Sequence, residues 1–126
     1  PDLVEEVLRH DPPLHMFTRY ATEDVEVQGH RFARGEQVGL LLGAANRDPA
    51  AYADPATFDA TRFPDAPVST SFGAGLHFCL GAPLARLELL HGLQALSERR
   101  PDLRLTEPPR YADIYHFHGL RRLIVS

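Results

Sequence analysis

From Pro83 to about Arg99, leucines recur three or so residues apart, at Leu84, Leu87, Leu90, Leu93 and Leu96, with Leu89 beside Leu90. That spacing predicts the longest helix of the chain, with a proline suited to its first position and Pro101 closing it. Directly upstream stands FGAGLHFCLG, Phe72 to Gly81, which holds the single cysteine, Cys79. A thiol a few residues before a helix start lies near the positive end of the helix dipole and is pushed toward thiolate, the form that ligates metal or acts as a nucleophile. Gly73, Gly75 and Gly81 leave backbone bare of side chains, so a flat or bulky ligand can approach and N–H groups near the sulfur can donate to it. The competing reading is a small buried hydrophobe, and the thiol's position alone leaves both open.

The rest of the chain supplies shorter elements. In PDLVEEVLRHDPP, Asp2 can cap and Leu3, Val4, Val7 and Leu8 recur at helical spacing, which predicts a short helix ended by Pro12 and Pro13. The chain opens in helix register without a methionine, and the expectation is that an N-terminal part is missing. VEVQGHRFARGEQV offers two strand-like runs with glycines at Gly29 and Gly35, and GLLLGAA reads as a buried apolar run, together a small sheet of hairpins. NRDPAAYADPATFDATRFPDAPV is too irregular for regular structure and too aromatic for a disordered linker, so it reads as an ordered meander. The last stretch, DLRLTEPPRYADIYHFHGLRRLIVS, alternates and is expected to turn at His118-Gly119 as a C-terminal hairpin.

With 126 residues the chain has the length of one ordinary domain. Its formal charge of −4, with acids and bases interspersed, argues against a nucleic-acid surface. One cysteine makes no disulfide framework, and no signal-peptide or membrane-length apolar run is present. A soluble protein of a reducing compartment, the cytoplasm, is the expectation, with no membrane partner.

FGAGLHFCLG resembles the haem-ligand signature of the cytochrome P-450 monooxygenases, FxxGxHxCxG, at Phe72, Gly75, His77, Cys79 and Gly81. EVLR resembles the family's ExxR pair through Glu6 and Arg9, and FDATRF places Arg62 where the family has the arginine that completes that network. TRYATEDVEVQG, ANRDP and the closing HGLRRLIV also look like soluble bacterial members. The resemblance spans the chain in the family's own order. It implies an α+β fold in which residues 1–126 form a single partial domain, the C-terminal portion of the cytochrome P-450 fold. The expected sequence is a short N-terminal helix, a small hairpin sheet, an irregular meander, a cysteine-ligand loop, a long helix and a C-terminal β-hairpin.

The same resemblance implies a site. Cys79 would be the axial thiolate on the iron of haem b (iron protoporphyrin IX), His77 and Arg19 would hold its propionates, and Phe72 would lie against the sulfur side of the ring. Gly73, Gly75 and Gly81 would flank the cofactor. Glu6, Arg9 and Arg62 would form a buried structural network, although by spacing alone Glu6 and Arg9 read as a solvated pair three residues apart on a helix. Substrate would face the segment after the first helix (Leu14, His15, Met16, Phe17 and on to Thr18) and the tip of the last hairpin (Ile114, Tyr115, His116, Phe117). Electrons would come from a ferredoxin and ferredoxin reductase type donor, one atom of oxygen would enter a small organic substrate, and Arg86, Arg99 and Arg100 would offer a basic docking patch.

The family's long distal helix, with its proton-relaying acid and alcohol, finds no counterpart in this sequence. Residues 1–126 alone are therefore expected to be inactive and poor at holding haem. Two alternatives stay in view. A haem-free or weakly haem-binding interaction module would self-associate through its uncovered apolar surface. A small zinc site would join Cys79 and His77 to the His116-x-His118 pair, whose alternation puts both imidazoles on one strand face.

Overall fold

Two charged residues sit in the centre of the protein's core, and they come from its first helix. The computed structural model describes residues 2–126. Helix α1 spans Asp2–His10, with Asp2 and Glu5 in its first turn and Arg9 and His10 in its last, the distribution that complements the helix dipole. It buries Val4, Glu6, Leu8 and Arg9, so its inward face is half aliphatic and half ionic. After Asp11 come Pro12 and Pro13, which cannot continue the helix.

Strands β1 (Met16–Tyr20) and β4 (Gln37–Leu41) pair antiparallel, from Met16 opposite Leu41 to Tyr20 opposite Gln37. Between them β2 (Val25–Val27) and β3 (His30–Phe32) form a hairpin of their own. Its two-residue turn, Gln28-Gly29, has positive φ at both positions (49° and 80°), the pattern of a type I′ turn matched to strand twist. Gly35, also at positive φ, lets the chain turn back into β4.

The apolar run GLLLGAA is not buried throughout. β4 ends at Leu41 and passes straight into a one-turn helix, α2 (Leu42–Ala45). The change of period puts Leu42 in the core while Leu40 and Leu41 stay open to solvent on the wall of a cleft. Residues 46–69 form the expected meander, with no helix or strand but with Tyr52 and Phe63 buried.

Helix α3 covers Ala82–Arg99, with a proline in its first turn as the sequence requires. Ala82 is buried, but Leu84, Leu87 and Leu96 are exposed. The C-terminal strands β5 (Arg110–Tyr111) and β6 (Leu120–Arg122) pair antiparallel, and the ladder continues through the Leu105–Val125 bridge to reciprocal hydrogen bonds between Arg104 and Ser126. The turn is not at His118-Gly119. The Ala112 N–H already bonds the Gly119 carbonyl, which makes residues 113–118 the loop. That loop is drawn out because it pairs with the segment before β1: Leu14 bridges Phe117, His15 N–H donates to the His116 carbonyl and His118 N–H to the Pro13 carbonyl.

Candidate functional site

The segment between the meander and α3 makes two 3-10 turns, Thr70–Phe72 and Gly75–His77, separated by Gly73 and Ala74. Gly73 and Gly75 both have positive φ (73° and 68°), a conformation that side chains strain, so the glycines are what allow two tight turns in succession. The Cys79 N–H closes the loop on the Phe72 carbonyl (3.0 Å), and the Ala82 N–H on the Cys79 carbonyl (3.2 Å) hands the chain to α3. Cys79 is thus held on an exposed loop, not inside a core.

This loop forms one side of a cleft of about 640 Å³, whose other walls are β1, β4 and α2. Cys79, His77, Gly73 and Phe72 line it from the loop, and Leu14, Phe17 and Arg19 from the β1 side. The lining is mainly apolar, completed by Leu40, Leu41 and Leu42. Arg19 stays exposed, its guanidinium donating to the Thr18 carbonyl (2.9 Å) and lying 5.4 Å from the Phe17 ring centre. Gly75 and Gly81 flank the cysteine without lining the cleft; a Cβ on Gly81 would stand 3.8 Å from the Cys79 sulfur.

The loop's position is fixed from behind by a polar hub that the sequence reading did not single out. Asn46, fully buried at the end of α2, donates to Ser71 Oγ (2.8 Å) and accepts from Thr70 N (2.7 Å) and Thr70 Oγ1 (2.9 Å). Ser71 in turn donates to the Leu8 carbonyl of α1 (2.6 Å). The only sequence signal was the NRDP stretch, and an asparagine after an apolar run reads as a turn residue until its partners are known.

A second hub lies under α1. Arg9 uses all five of its N–H donors: Nε and one terminal nitrogen on Glu6 (2.7 and 2.8 Å), the rest on the carbonyls of Asn46, Pro55 and Thr57. Glu6 also accepts from the Asp59 amide (2.7 Å), and Arg62 Nε approaches the same carboxylate at 3.5 Å. The remaining Arg62 nitrogens hold the carbonyls of Ala53, Asp54 and Thr57. Burial pushes the Glu6 carboxyl up, but the Arg9 hydrogen bonds, the Asp59 amide and the charges of Arg9 and Arg62 together hold it below its ordinary range. These three residues are therefore a clamp on the meander and not the exposed pair that helical spacing alone suggests.

The residues expected to face substrate divide into two groups. Leu14, Met16, Phe17, His116 and Phe117 surround a smaller hollow of about 210 Å³, with Leu14 and Phe17 shared with the large cleft. His15 lies elsewhere: strand alternation turns it into a separate hollow beside Gly43 and His118. Ile114 and Tyr115 are exposed at the hairpin loop. The sketched zinc site does not assemble. Phe117, between its two histidines, is an isolated bridge and not part of a strand, and among the described residues His118 joins Asp11 and His15 instead of Cys79 and His77. Arg86, expected in a docking patch, is paired with Glu5 and half-buried against Phe72.

Comparison with known proteins agrees with this arrangement. The family model described as Cytochrome P450 matches residues 2–98. The biotin biosynthesis cytochrome P450 of Bacillus subtilis (strain 168) is 45% identical over 131 residues, covering 100% of this chain and 33% of the relative. The methyl-branched lipid omega-hydroxylase of Mycobacterium tuberculosis is 39% identical over 126 residues, covering 100% and 29%. Among solved structures, P450BioI in complex with hexadec-9Z-enoic acid ligated acyl carrier protein superimposes with a TM-score of 0.93 at 45% identity, covering 100% of this chain and 34% of that one. CYP109E1 from Bacillus megaterium in complex with testosterone gives 0.92 at 36% identity, covering 99% and 35%. The chain spans about a third of the length of these relatives. No helix among the described residues is long and apolar enough to cross a membrane. A family model matching residues 2–98, with relatives 39–45% identical along the whole chain, makes the chain a member of the cytochrome P450 family.

Proposed function

We propose that this chain forms the thiolate-side wall of a haem monooxygenase, with Cys79 as the ligand of the iron. The observation that carries the reading is the cleft itself. It sets an exposed thiol, a guanidinium and an imidazole on one mainly apolar surface. Haem b is a flat apolar disc with two carboxylates on one edge, and that donor set suits it: Cys79 for the iron, Arg19 and His77 for the propionates, Phe72, Leu40 and Leu41 for the ring. The curated relatives leave ample further length for an opposite wall, so residues 1–126 act as one part of a larger haem domain. The chemistry the group supplies when bound is activation of dioxygen and insertion of one oxygen atom into an organic substrate.

The chain's own residues do the holding and the shielding. The closed loop from Phe72 to Cys79 and the N-terminus of α3 fix the sulfur. Phe72, with Arg86 packed on it, excludes water from the sulfur side. Arg19 and His77 orient the carboxylate edge by charge-assisted hydrogen bonds. Leu14, Met16, Phe17 and Phe117 offer an apolar surface to a small organic substrate, a character consistent with the lipid and steroid named for the relatives. Electrons come from a ferredoxin-type donor in the cytoplasm, with exposed Arg99 and Arg100 as its basic contacts.

The test is an absorption spectrum of the chain mixed with haemin and reduced under carbon monoxide, beside Cys79→Ala. Because one wall holds haem weakly, haemin is added in excess, and a red-shifted Soret band that disappears in the variant is expected. The same band in both proteins, or none in either, overturns the reading for this chain.

A further inference from the structure

The hollow behind β1 holds a cluster that neither the haem cleft nor the family resemblance accounts for. Asp11 follows α1, His15 precedes β1 and His118 lies in the C-terminal loop. One ligand atom from each of these residues lies within 4.8 Å of the other two. Asp11 and His15 are near neighbours in the sequence, but His118 comes from its far end, so local chain geometry does not explain how the three meet. The backbone fixes it: His15 N–H is held by the His116 carbonyl and His118 N–H by the Pro13 carbonyl, on either side of the Leu14–Phe117 bridge.

The rings are ordered as well. His118 is stacked between His15 (centres 4.5 Å, planes 18° apart) and Tyr111 (4.0 Å, 17°). The His15 ring lies over Gly43, where a Cβ would come within 3.4 Å of it. The Asp11 carboxylate approaches His118 Nε2 at 3.3 Å. The hollow is also lined by His10 and by the cation of Arg47. His10 bonds the Ala56 carbonyl, and the Arg47 guanidinium is committed to the His10 carbonyl at 2.7 Å.

We propose that Asp11, His15 and His118 bind a divalent transition-metal ion, Zn²⁺ by preference, as a clip between the end of α1, the start of β1 and the C-terminal loop. Two imidazoles and one carboxylate are a set that zinc accepts, with a water as fourth ligand. Zn–N bonds are about 2.0–2.1 Å, so the ligand atoms must draw in by about an ångström, within reach of side-chain rotation at a half-exposed site. The hollow has about 450 Å³ of open space for the ion and its water. An ion bound only by the folded chain ties residues 11–15 to residue 118 and stabilises the fold by mass action.

The experiment is calorimetric titration of the chain with Zn²⁺ alone, in neutral buffer without phosphate, followed by thermal unfolding with and without the ion. One site per chain and a raised unfolding midpoint are expected. His15→Ala and His118→Ala should abolish the site. Asp11→Asn, which keeps the shape and leaves the rings stacked, should weaken it at least tenfold while far-ultraviolet dichroism is unchanged. His91→Ala, at an exposed position on α3, and Cys79→Ala should bind as the parent does, which separates this site from the haem ligand. No saturable binding, or binding lost in Cys79→Ala and kept in Asp11→Asn, overturns the proposal.

Discussion

Arg86 of α3 closes a two-point ion pair on Glu5 of α1, with Nε 2.5 Å from Oε1 and the second nitrogen 3.0 Å from Oε2, while its guanidinium carbon lies 4.8 Å from the centre of the Phe72 ring. One side chain thus joins the helix after the cysteine to the first helix and covers the back of the residue at the mouth of the loop. Pairing with Glu5 holds Arg86 firmly in its charged form. Arg86→Glu puts a second carboxylate against Glu5 and strips the cation from Phe72. A loss of about 1–3 kcal/mol is expected, between the limits for exposed and buried pairs. Urea unfolding measures it, and an unchanged midpoint contradicts the role.

Arg99 and Arg100 are different, because both are exposed and Arg100 makes only a long pair with Asp102 (3.7 Å). Replacing these two by glutamate should leave the urea midpoint within about 0.5 kcal/mol, as surface changes usually do. Reduction of the haem-loaded protein by an acidic ferredoxin should slow, most visibly at low salt, because rim charges act mainly on association rate. Stopped-flow reduction kinetics that do not change with the double substitution remove Arg99 and Arg100 from the docking surface.

The Arg9 clamp predicts that charge alone does not suffice at this position. Arg9→Lys keeps the cation, but an ammonium has three donors and cannot span Glu6 and three carbonyls at once. About 1–3 kcal/mol should be lost, the cost of leaving buried acceptors without a donor, and the meander of residues 46–69 should become sensitive to protease before the rest. A lysine variant as stable as the parent excludes the geometric account.

These contacts mark where the sequence was readable and where it was not. The long helix was legible because leucine periodicity and a proline in the first turn are local signals, and the cysteine loop because its glycines punctuate a fixed spacing. GLLLGAA misled because a run of aliphatic residues has no period, so a strand passing directly into a helix looks like one buried apolar run. The hairpin turn was misplaced because His118-Gly119 has the composition of a turn, while the loop's length is set by pairing with residues 13–15 far away in sequence. Asn46, Ser71 and the Asp11–His15–His118 cluster escaped for the same reason: each is an ordinary polar residue until tertiary folding supplies its partners.

Acid should unfold the protein partly through Glu6. Its carboxyl is held below the ordinary range of roughly 4 in the folded chain, so its contribution is complete above that range and is lost as pH falls through the lower folded value. Glu6→Gln has no charge to lose. The stability gap between parent and variant, taken from urea midpoints at a series of pH values, should be widest near neutrality and should narrow steadily below about pH 4. A gap that stays constant into acid would mean that the carboxylate's charge contributes nothing.

The buried amide of Asn46 predicts an order of severity between two substitutions. Ser71 has one hydroxyl proton, and it is given to the Leu8 carbonyl, so towards Asn46 the serine presents only a lone pair. Asn46→Ala removes the donor that fills that lone pair and leaves the Thr70 amide without its acceptor, at about 1–3 kcal/mol. Asn46→Asp keeps the acceptor for Thr70 but turns a carboxylate oxygen against the serine's lone pair in a fully buried position, which adds the cost of an ill-paired charge. The aspartate variant should therefore be the less stable of the two despite being nearly isosteric, and its unfolding midpoint should recover as pH is lowered and the new carboxyl takes up a proton. An aspartate variant that matches the parent at neutral pH would show that the hydrogen-bond direction between Asn46 and Ser71 does not hold the cysteine loop against α1.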